Sequence, residues 1–295
     1  MPVPKIHKVF ERLVEYSKLT RFGHALMLAF AVFIGESIIL GHMPAFTDVI
    51  LLSLLVPIFA EMGAFSLNDY FDVATDRANK RFDRPLVRGV ISENSVLVFA
   101  FLSFALALML SSSINEDAFS IVLIFIVLSI LYSIWLKDIA VLGNATVAAS
   151  MGIPFIFASY AVSSVIDPIA YILFLVAFII GMAREIIKDI EDMEGDRKIR
   201  KSKTLPIIIG KKYAAMLASA ILLLFLPVSA YPFLSHFSLY SLSLITLLAS
   251  YASIIYFAVT FYKNPSKQYA RFTRTVLFYV MFIGLFALLF AALKI

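Results

Sequence analysis

Nine apolar runs, each long enough to cross a membrane, constrain this chain more than any other feature of its sequence. A helix needs ~20 apolar residues to cross about 30 Å of hydrocarbon. The runs are continuous rather than alternating, which excludes the strands of a membrane barrel. The sequence therefore predicts an all-α membrane protein, one polytopic domain over residues 1–295, with nine transmembrane helices in a bundle around a central cavity. The runs cover residues 22–40, 49–67, 94–114, 119–136, 139–161, 168–187, 213–231, 239–261 and 272–293.

The distribution of Lys and Arg supports this number of spans. Only 15% of the residues are charged, and the connections between the runs alternate between basic and charge-poor. Every basic residue except Lys294 falls on one side. Because basic connections stay in the cytoplasm, we predict a multi-pass protein of the plasma membrane with a cytoplasmic N-terminus and an external C-terminus. The net charge of +5 thus has a topological explanation, and no nucleic-acid partner is predicted.

The first 21 residues form a basic segment that lacks the layout of a cleaved signal peptide. Its apolar side chains recur at helical spacing, at Ile6, Phe10, Leu13 and Val14. This pattern predicts an amphipathic helix over residues 1–21 that lies on the membrane surface.

Two predicted cytoplasmic loops, 68–92 and 184–212, concentrate carboxylates next to basic residues. Steps of three and four residues place each set of polar side chains on one helix face, where like charges repel unless cations neutralise them. A single acidic pair of this kind is more often a solvated surface feature. Two sets, both at span ends and on one side, favour a shared site. The sets are Asn68, Asp72 and Asp76, and Asp189, Asp192 and Asp196.

Carboxylate and amide oxygens are hard ligands, and the chain has no cysteine. Such a set suits Mg²⁺, with Mn²⁺ as an alternative, rather than zinc. Mg²⁺ is commonly bound by one or two carboxylates together with substrate phosphates. The sequence therefore predicts a Mg²⁺-bridged diphosphate at the cytoplasmic mouth of the bundle. Predicted partners of the remaining phosphate oxygens are Arg77, Arg81, Arg84, Lys137 and Lys203.

Three polar residues within or at the ends of the spans are candidates for the cavity or for an acceptor site. Glu61 lies two turns before Asn68, and either lines the cavity or is a hydrogen-bonded packing residue. Asn144 contacts either a substrate or a neighbouring helix. Tyr132 faces either a cation or the membrane interface, where tyrosines are common.

The segments NDYFDVATD, DRPLVRG and DIEDMEGD resemble the two signature loops of the UbiA superfamily of intramembrane prenyltransferases. The resemblance covers nearly the whole chain and implies nine helices, with the signature loops after the second and sixth. It implies that the two sets of oxygen ligands bind Mg²⁺ on a prenyl diphosphate. It also implies catalytic roles for the four aspartates Asp72, Asp76, Asp192 and Asp196. Asp189 extends the second motif by one turn, Arg84 and Lys137 match diphosphate contacts, and Lys203 is a looser match.

The resemblance also implies the reaction, in which the allylic C–O bond ionises and a lipophilic acceptor captures the cation. REIIKDIEDMEGD is similar to the archaeal branch that joins geranylgeranyl diphosphate to geranylgeranylglyceryl phosphate in ether-lipid synthesis. An aromatic acceptor of quinone biosynthesis remains the alternative within the class. A different class is an ion-coupled transporter, but its carboxylates belong near the middle of the bilayer, whereas these lie at one face. No obligate protein partner is predicted.

Overall fold

The computed structural model describes residues 5–78, 80–197, 202–237 and 240–295. Its regular elements are helices. In chain order they are α1 (Lys5–Leu19), α2 (Phe22–Leu40), α3 (Asp48–Ala78), α4 (Glu93–Ser112), α5 (Glu116–Ile134), a 3-10 turn (Leu136–Asp138), α6 (Leu142–Val162), α7 (Pro168–Gly195), α8 (Leu205–Ile209), α9 (Lys211–Ser235), α10 (Ser241–Lys263) and α11 (Lys267–Ala292). Within the described residues, nine helices are long and apolar enough to cross a membrane, namely α2–α7 and α9–α11. The predicted fold class is therefore confirmed.

Two helices run past the ends of their apolar segments. α3 continues to Ala78 and α7 to Gly195, so residues 68–78 and 184–195 are helical rather than part of loops. A helix satisfies its backbone hydrogen bonds internally and need not end where the apolar residues end. Both polar sets thus begin on rigid extensions of membrane helices.

Helix α6, which corresponds to the fifth apolar run, begins later than that run predicts. The run starts at residue 139, whereas α6 starts at Leu142 after the 3-10 turn. Val141 has a φ of 69°, in the left-handed region that a β-branched residue rarely adopts. This break orients the turn that carries Lys137. The predicted start of the eighth run, residue 239, lies outside the described residues.

The bundle encloses an apolar cavity of about 870 Å³, open space at its mouth included. Residues of α2, α6, α7, α9, α10 and α11 line it, and its few polar lining groups are Ser229, Ser250 and Tyr251. The hydroxyls of Ser229 and Tyr251 lie 2.9 Å apart and hydrogen-bond each other. A cavity of this size and polarity suits a long apolar chain, because burial of each CH₂ group is favourable by about 0.8 kcal/mol.

The N-terminal helix α1 is anchored at its C-terminal end. Leu19 is fully buried in a small cluster with Leu86, Ile91 and Val96. Leu13 is 63% exposed, as expected of a helix on a membrane surface; the side chains of Ile6 and Phe10 lie outside the described residues.

An ion-pair cluster adds to this anchor. Glu15 accepts hydrogen bonds from Lys18 and from Arg88, which belongs to the connection after α3. The hydrogen bond from Lys18, and to a smaller extent the one from Arg88, hold the pKa of Glu15 below its usual value. α1 is thereby tied to the connection that follows the first polar set.

Gly152 is required for the close approach of α6 and α7. A Cβ atom at this position would lie 2.7 Å from the backbone oxygen of Phe174 and 2.7 Å from its ring. We expect Gly152→Ala to destabilise the bundle by about 1–3 kcal/mol, the usual cost of overpacking. Thermal unfolding in detergent measures the effect. Gly284→Ala is the matched control, since no heavy atom lies within 4 Å of its added Cβ, and an equal loss in both variants would contradict the packing argument.

Candidate active site

The first polar set lies on the last turns of α3. Asn68 donates a hydrogen bond of 3.0 Å from Nδ2 to Oδ2 of Asp72. Lys137, whose side chain is only 7% exposed, donates one of 2.7 Å from Nζ to Oδ1 of the same carboxylate. The Oδ1 atom of Asn68 is buried and has no hydrogen-bond partner among the described residues. The structure therefore brings the 3-10 turn against α3 and leaves an amide oxygen available at this point.

Asp69, which is adjacent to this set, anchors the connection after α3. It is 2% exposed and accepts hydrogen bonds from Arg84, at 2.9 and 3.1 Å, and from Arg21, at 3.1 Å. Arg84 thus holds the DRP segment onto α3, and its contact with a diphosphate stays a prediction. Arg21 also lies 4.1 Å from the ring centre of Phe65. Burial, and then the charge of Arg84, lower the pKa of Arg21 to about 10, so it stays protonated at neutral pH.

Asp76 and Arg77 end the first set. Asp76 is buried, and its carboxylate lies 3.7 Å from Arg81 and 3.9 Å from Arg84. Arg77 follows Asp76 at the helix end and is exposed. Arg81 and Arg84 thus place positive charge beside Asp76, and guanidinium groups are suited to binding phosphate oxygens.

The second polar set lies along the last three turns of α7. Asn144 is buried on α6 and donates a 2.9 Å hydrogen bond from Nδ2 to Oδ2 of Asp189. Asn144 thus contacts a neighbouring helix and reaches the second set at the same time. Asp192 and Asp196 are half-buried near the end of α7.

Charges from both sets act on one side chain of α5. Tyr132 lies within reach of the charges of Asp72, on α3, and of Asp189, Glu185 and Lys188, on α7. The connection after α7 closes the other side: Ser202 donates from Oγ to Asp138 at 2.7 Å. The backbone N–H of Lys203 donates to the carbonyl of Asp138 at 3.2 Å. Asp72, Asp189, Lys137 and the backbone of Lys203 therefore lie at one end of the bundle.

The donor atoms of the two sets fit a hard divalent cation. They are carboxylate and amide oxygens, and the buried Oδ1 of Asn68 lacks a partner among the described residues. In the part of the chain that the structure describes, no three His, Asp or Glu side chains are gathered closely enough to form a metal site. Instead, Asp72 accepts a hydrogen bond from Lys137, Asp189 accepts one from Asn144, and Asp76 lies 3.9 Å from Arg84. A metal would replace contacts of this kind.

Lys188 is a site residue to which sequence reasoning assigned no role. Its Nζ lies 3.6 Å from Glu185, and the charges of Asp189 and Asp192 act on it. The sequence feature that could have identified Lys188 is its position between Glu185 and Asp192, one turn before the latter. Glu61, a predicted cavity residue, lies within reach of the charge of Arg21.

The described residues thus form a membrane bundle of nine long apolar helices that contains an apolar cavity and carries two sets of carboxylates at one end. Residues 27–292 match the UbiA prenyltransferase family. The chain belongs to this family and is an intramembrane prenyltransferase.

Its curated relatives include archaeal enzymes of similar length. Digeranylgeranylglyceryl phosphate synthase of Thermococcus gammatolerans is 33% identical over 286 residues, which cover 95% of this chain and 99% of the relative. The protein of the same name from Archaeoglobus fulgidus is 34% identical over 271 residues, or 90% of this chain and 91% of the relative.

Solved structures show the same fold. A digeranylgeranylglyceryl phosphate synthase structure is 31% identical with a TM-score of 0.76, covering 97% of this chain and 100% of its own. A UbiA homolog from Archaeoglobus fulgidus bound to DMAPP and Mg²⁺ is 21% identical with a TM-score of 0.67, covering 95% of this chain and 99% of its own. The second likeness supports the fold alone.

Proposed function

We propose that this chain transfers a geranylgeranyl group from geranylgeranyl diphosphate to the free hydroxyl of geranylgeranylglyceryl phosphate. The observation that carries the prenyl transfer is that Asp72 binds Lys137 and Asp189 binds Asn144, so the 3-10 turn and the start of α6 contact both polar sets at one end of a bundle whose apolar cavity suits an isoprenoid chain. The acceptor is inferred from relatives named digeranylgeranylglyceryl phosphate synthase that align over nearly their whole length.

Mg²⁺ is the proposed cofactor, with Mn²⁺ as an ion of similar ligand preference. When bound, it would neutralise charge on the diphosphate leaving group. The carboxylate and amide oxygens of the two sets are the ligands that Mg²⁺ prefers, and they support this assignment. The residues that would hold the ion are Asn68, Asp72, Asp76, Asp189, Asp192 and Asp196.

The remaining polar groups would bind and orient the substrates. Lys137, whose side chain is buried beside Asp72, and the exposed residues Lys203 and Arg77 would bind diphosphate oxygens. Arg84 would position Asp76 and the DRP segment. The ring of Tyr132 would stabilise the allyl cation through its face, and the apolar cavity would exclude water from that cation.

The proposed orientation follows from the basic connections. All basic residues but Lys294 fall on the side of the carboxylate sets, so the active site would face the cytoplasm and the chain would span the plasma membrane. We propose that the single domain over residues 1–295 works without an obligate protein partner.

A paired assay tests the acceptor. Purified protein with Mg²⁺ and radiolabelled geranylgeranyl diphosphate receives geranylgeranylglyceryl phosphate in one reaction and 4-hydroxybenzoate in the other. We expect label only in the ether lipid. Transfer only to 4-hydroxybenzoate would keep the prenyltransferase class and reject the proposed acceptor.

A further inference from the structure

A buried arginine on α7 lies on a different face of the helix from Asp189. Arg184 is 7% exposed, and its Nε has no hydrogen-bond partner among the described residues. Five residues separate it from Asp189, which places the two side chains about 140° apart around the helix axis. Arg184 therefore belongs to a second polar group, toward α11 rather than toward α6.

Aromatic and cationic side chains surround Arg184. Its guanidinium lies 5.7 Å from the ring centre of Phe278 on α11, and the ring of His24 on α2 lies 4.6 Å from the same ring. Arg274 is one turn before Phe278, and the charges of Arg184, Arg21 and Arg274 all act on His24. Three helices thus converge on one cationic group.

The carboxylates nearest Arg184 are shared with other cations. Glu185 lies 3.5 Å from Arg184 and 3.6 Å from Lys188, and Glu191 is bonded to Arg274 at 2.8 Å. The Nε atom of Arg184 is buried with no hydrogen-bond partner among the described residues. A buried donor without a partner is costly, and an anion at this point would offset that cost.

This cationic group adjoins one end of the apolar cavity. Ile180, one turn before Arg184 on α7, lines the cavity. Met27 and Leu28, one turn after His24 on α2, also line the cavity. Met281, one turn after Phe278 on α11, lines it as well. The same end carries the extensions of α3 and α7 that hold the carboxylates.

We propose that Arg184, with His24 and Arg274, binds the phosphate monoester of the acceptor lipid, whose apolar chain lies in the cavity. The inference rests on the proposed function and adds a binding site for the acceptor. Both substrates are anionic, and a phosphate monoester carries a charge of about −1.5 to −2, so they repel when their reacting atoms approach. Separate cations for the diphosphate and for the monophosphate remove that barrier, and a guanidinium matches phosphate geometry.

The test compares two acceptors that differ only in the phosphate: geranylgeranylglyceryl phosphate and geranylgeranylglycerol. Arg184→Gln should raise KM for the phosphorylated acceptor about 10- to 100-fold, the effect of losing hydrogen bonds to a charged group. It should leave the rate with geranylgeranylglycerol and the affinity for geranylgeranyl diphosphate unchanged. Arg271→Gln, which removes an exposed charge from the same side of α11, should retain the wild-type preference.

Each other outcome has a definite meaning. A wild-type preference in Arg184→Gln would overturn the inference and leave the proposed function intact. Wild-type protein that transfers to neither glycerol lipid would reject the proposed function, and the inference with it, before any variant is made. If Arg184→Gln no longer binds geranylgeranyl diphosphate, His24→Asn decides: a selective rise in KM for the phosphorylated acceptor supports the site, and an unchanged KM rejects it.

Discussion

Prenyl transfer is expected to be abolished by Asp72→Ala or by Asp196→Ala, with the protein still folded and extractable in detergent. Each aspartate belongs to one of the two sets proposed to hold Mg²⁺, so either change removes a charge that the bound ion requires. Loss of the several kcal/mol that a metal contributes to charge stabilisation lowers the rate about a thousandfold or more. Turnover of radiolabelled geranylgeranyl diphosphate in the presence of Mg²⁺ measures the loss.

Two control variants test whether the loss of turnover is specific to the proposed metal ligands or follows the removal of any acidic side chain. Asp48→Ala changes an exposed aspartate at the opposite end of α3, and Glu194→Ala changes an exposed carboxylate two residues before Asp196. Both should retain turnover. Because Asp72 also binds Lys137, the unfolding temperature of its variant is measured as well. Wild-type rates in the Asp72 or Asp196 variant would remove the metal-site proposal.

The spans were predictable because a single physical requirement sets them. A lipid environment demands about 20 apolar residues per helix, and all nine predicted runs correspond to helices within the described residues. Helix ends are less predictable, because backbone hydrogen bonding continues into polar sequence. α7 accordingly extends from the predicted end at residue 187 to Gly195.

The candidate site was predictable only where the signal lies on one helix. Steps of three and four residues identify the faces of Asp72 and Asp189, whereas nothing in that periodicity indicates that Arg84 and Arg21 both bind Asp69. Those contacts join residues 15 and 48 positions apart and depend on how α1 and the connection after α3 fold back. Local periodicity carries no such information.

The position of Arg184 shows the same limit. In the sequence it is one more basic residue at the end of a span, and topology alone explains it. Its proposed role in binding the acceptor rests on its burial and on its contact with Phe278, nearly a hundred residues away in the chain. It also rests on the fact that Arg184 shares Glu185 with Lys188. Arg184 and Asp189 thus place a proposed acceptor contact and a proposed ion ligand on different faces of α7, although only four residues lie between them in REIIKDIED.

Chelation of divalent cations is expected to weaken the binding of geranylgeranyl diphosphate about a hundredfold or more, since several kcal/mol of metal stabilisation are lost. Without the ion, the aspartates of α3 and α7 repel the diphosphate, and Lys137 remains bonded to Asp72. Equilibrium binding of radiolabelled diphosphate in EDTA and in Mg²⁺ measures the difference. Geranylgeraniol, which has the same chain without the diphosphate, is the matched ligand, and its affinity should not change because the apolar cavity alone holds it. Restoration by Mg²⁺ or Mn²⁺ supports a bridging ion, whereas equal diphosphate affinity in EDTA would show that the basic residues suffice.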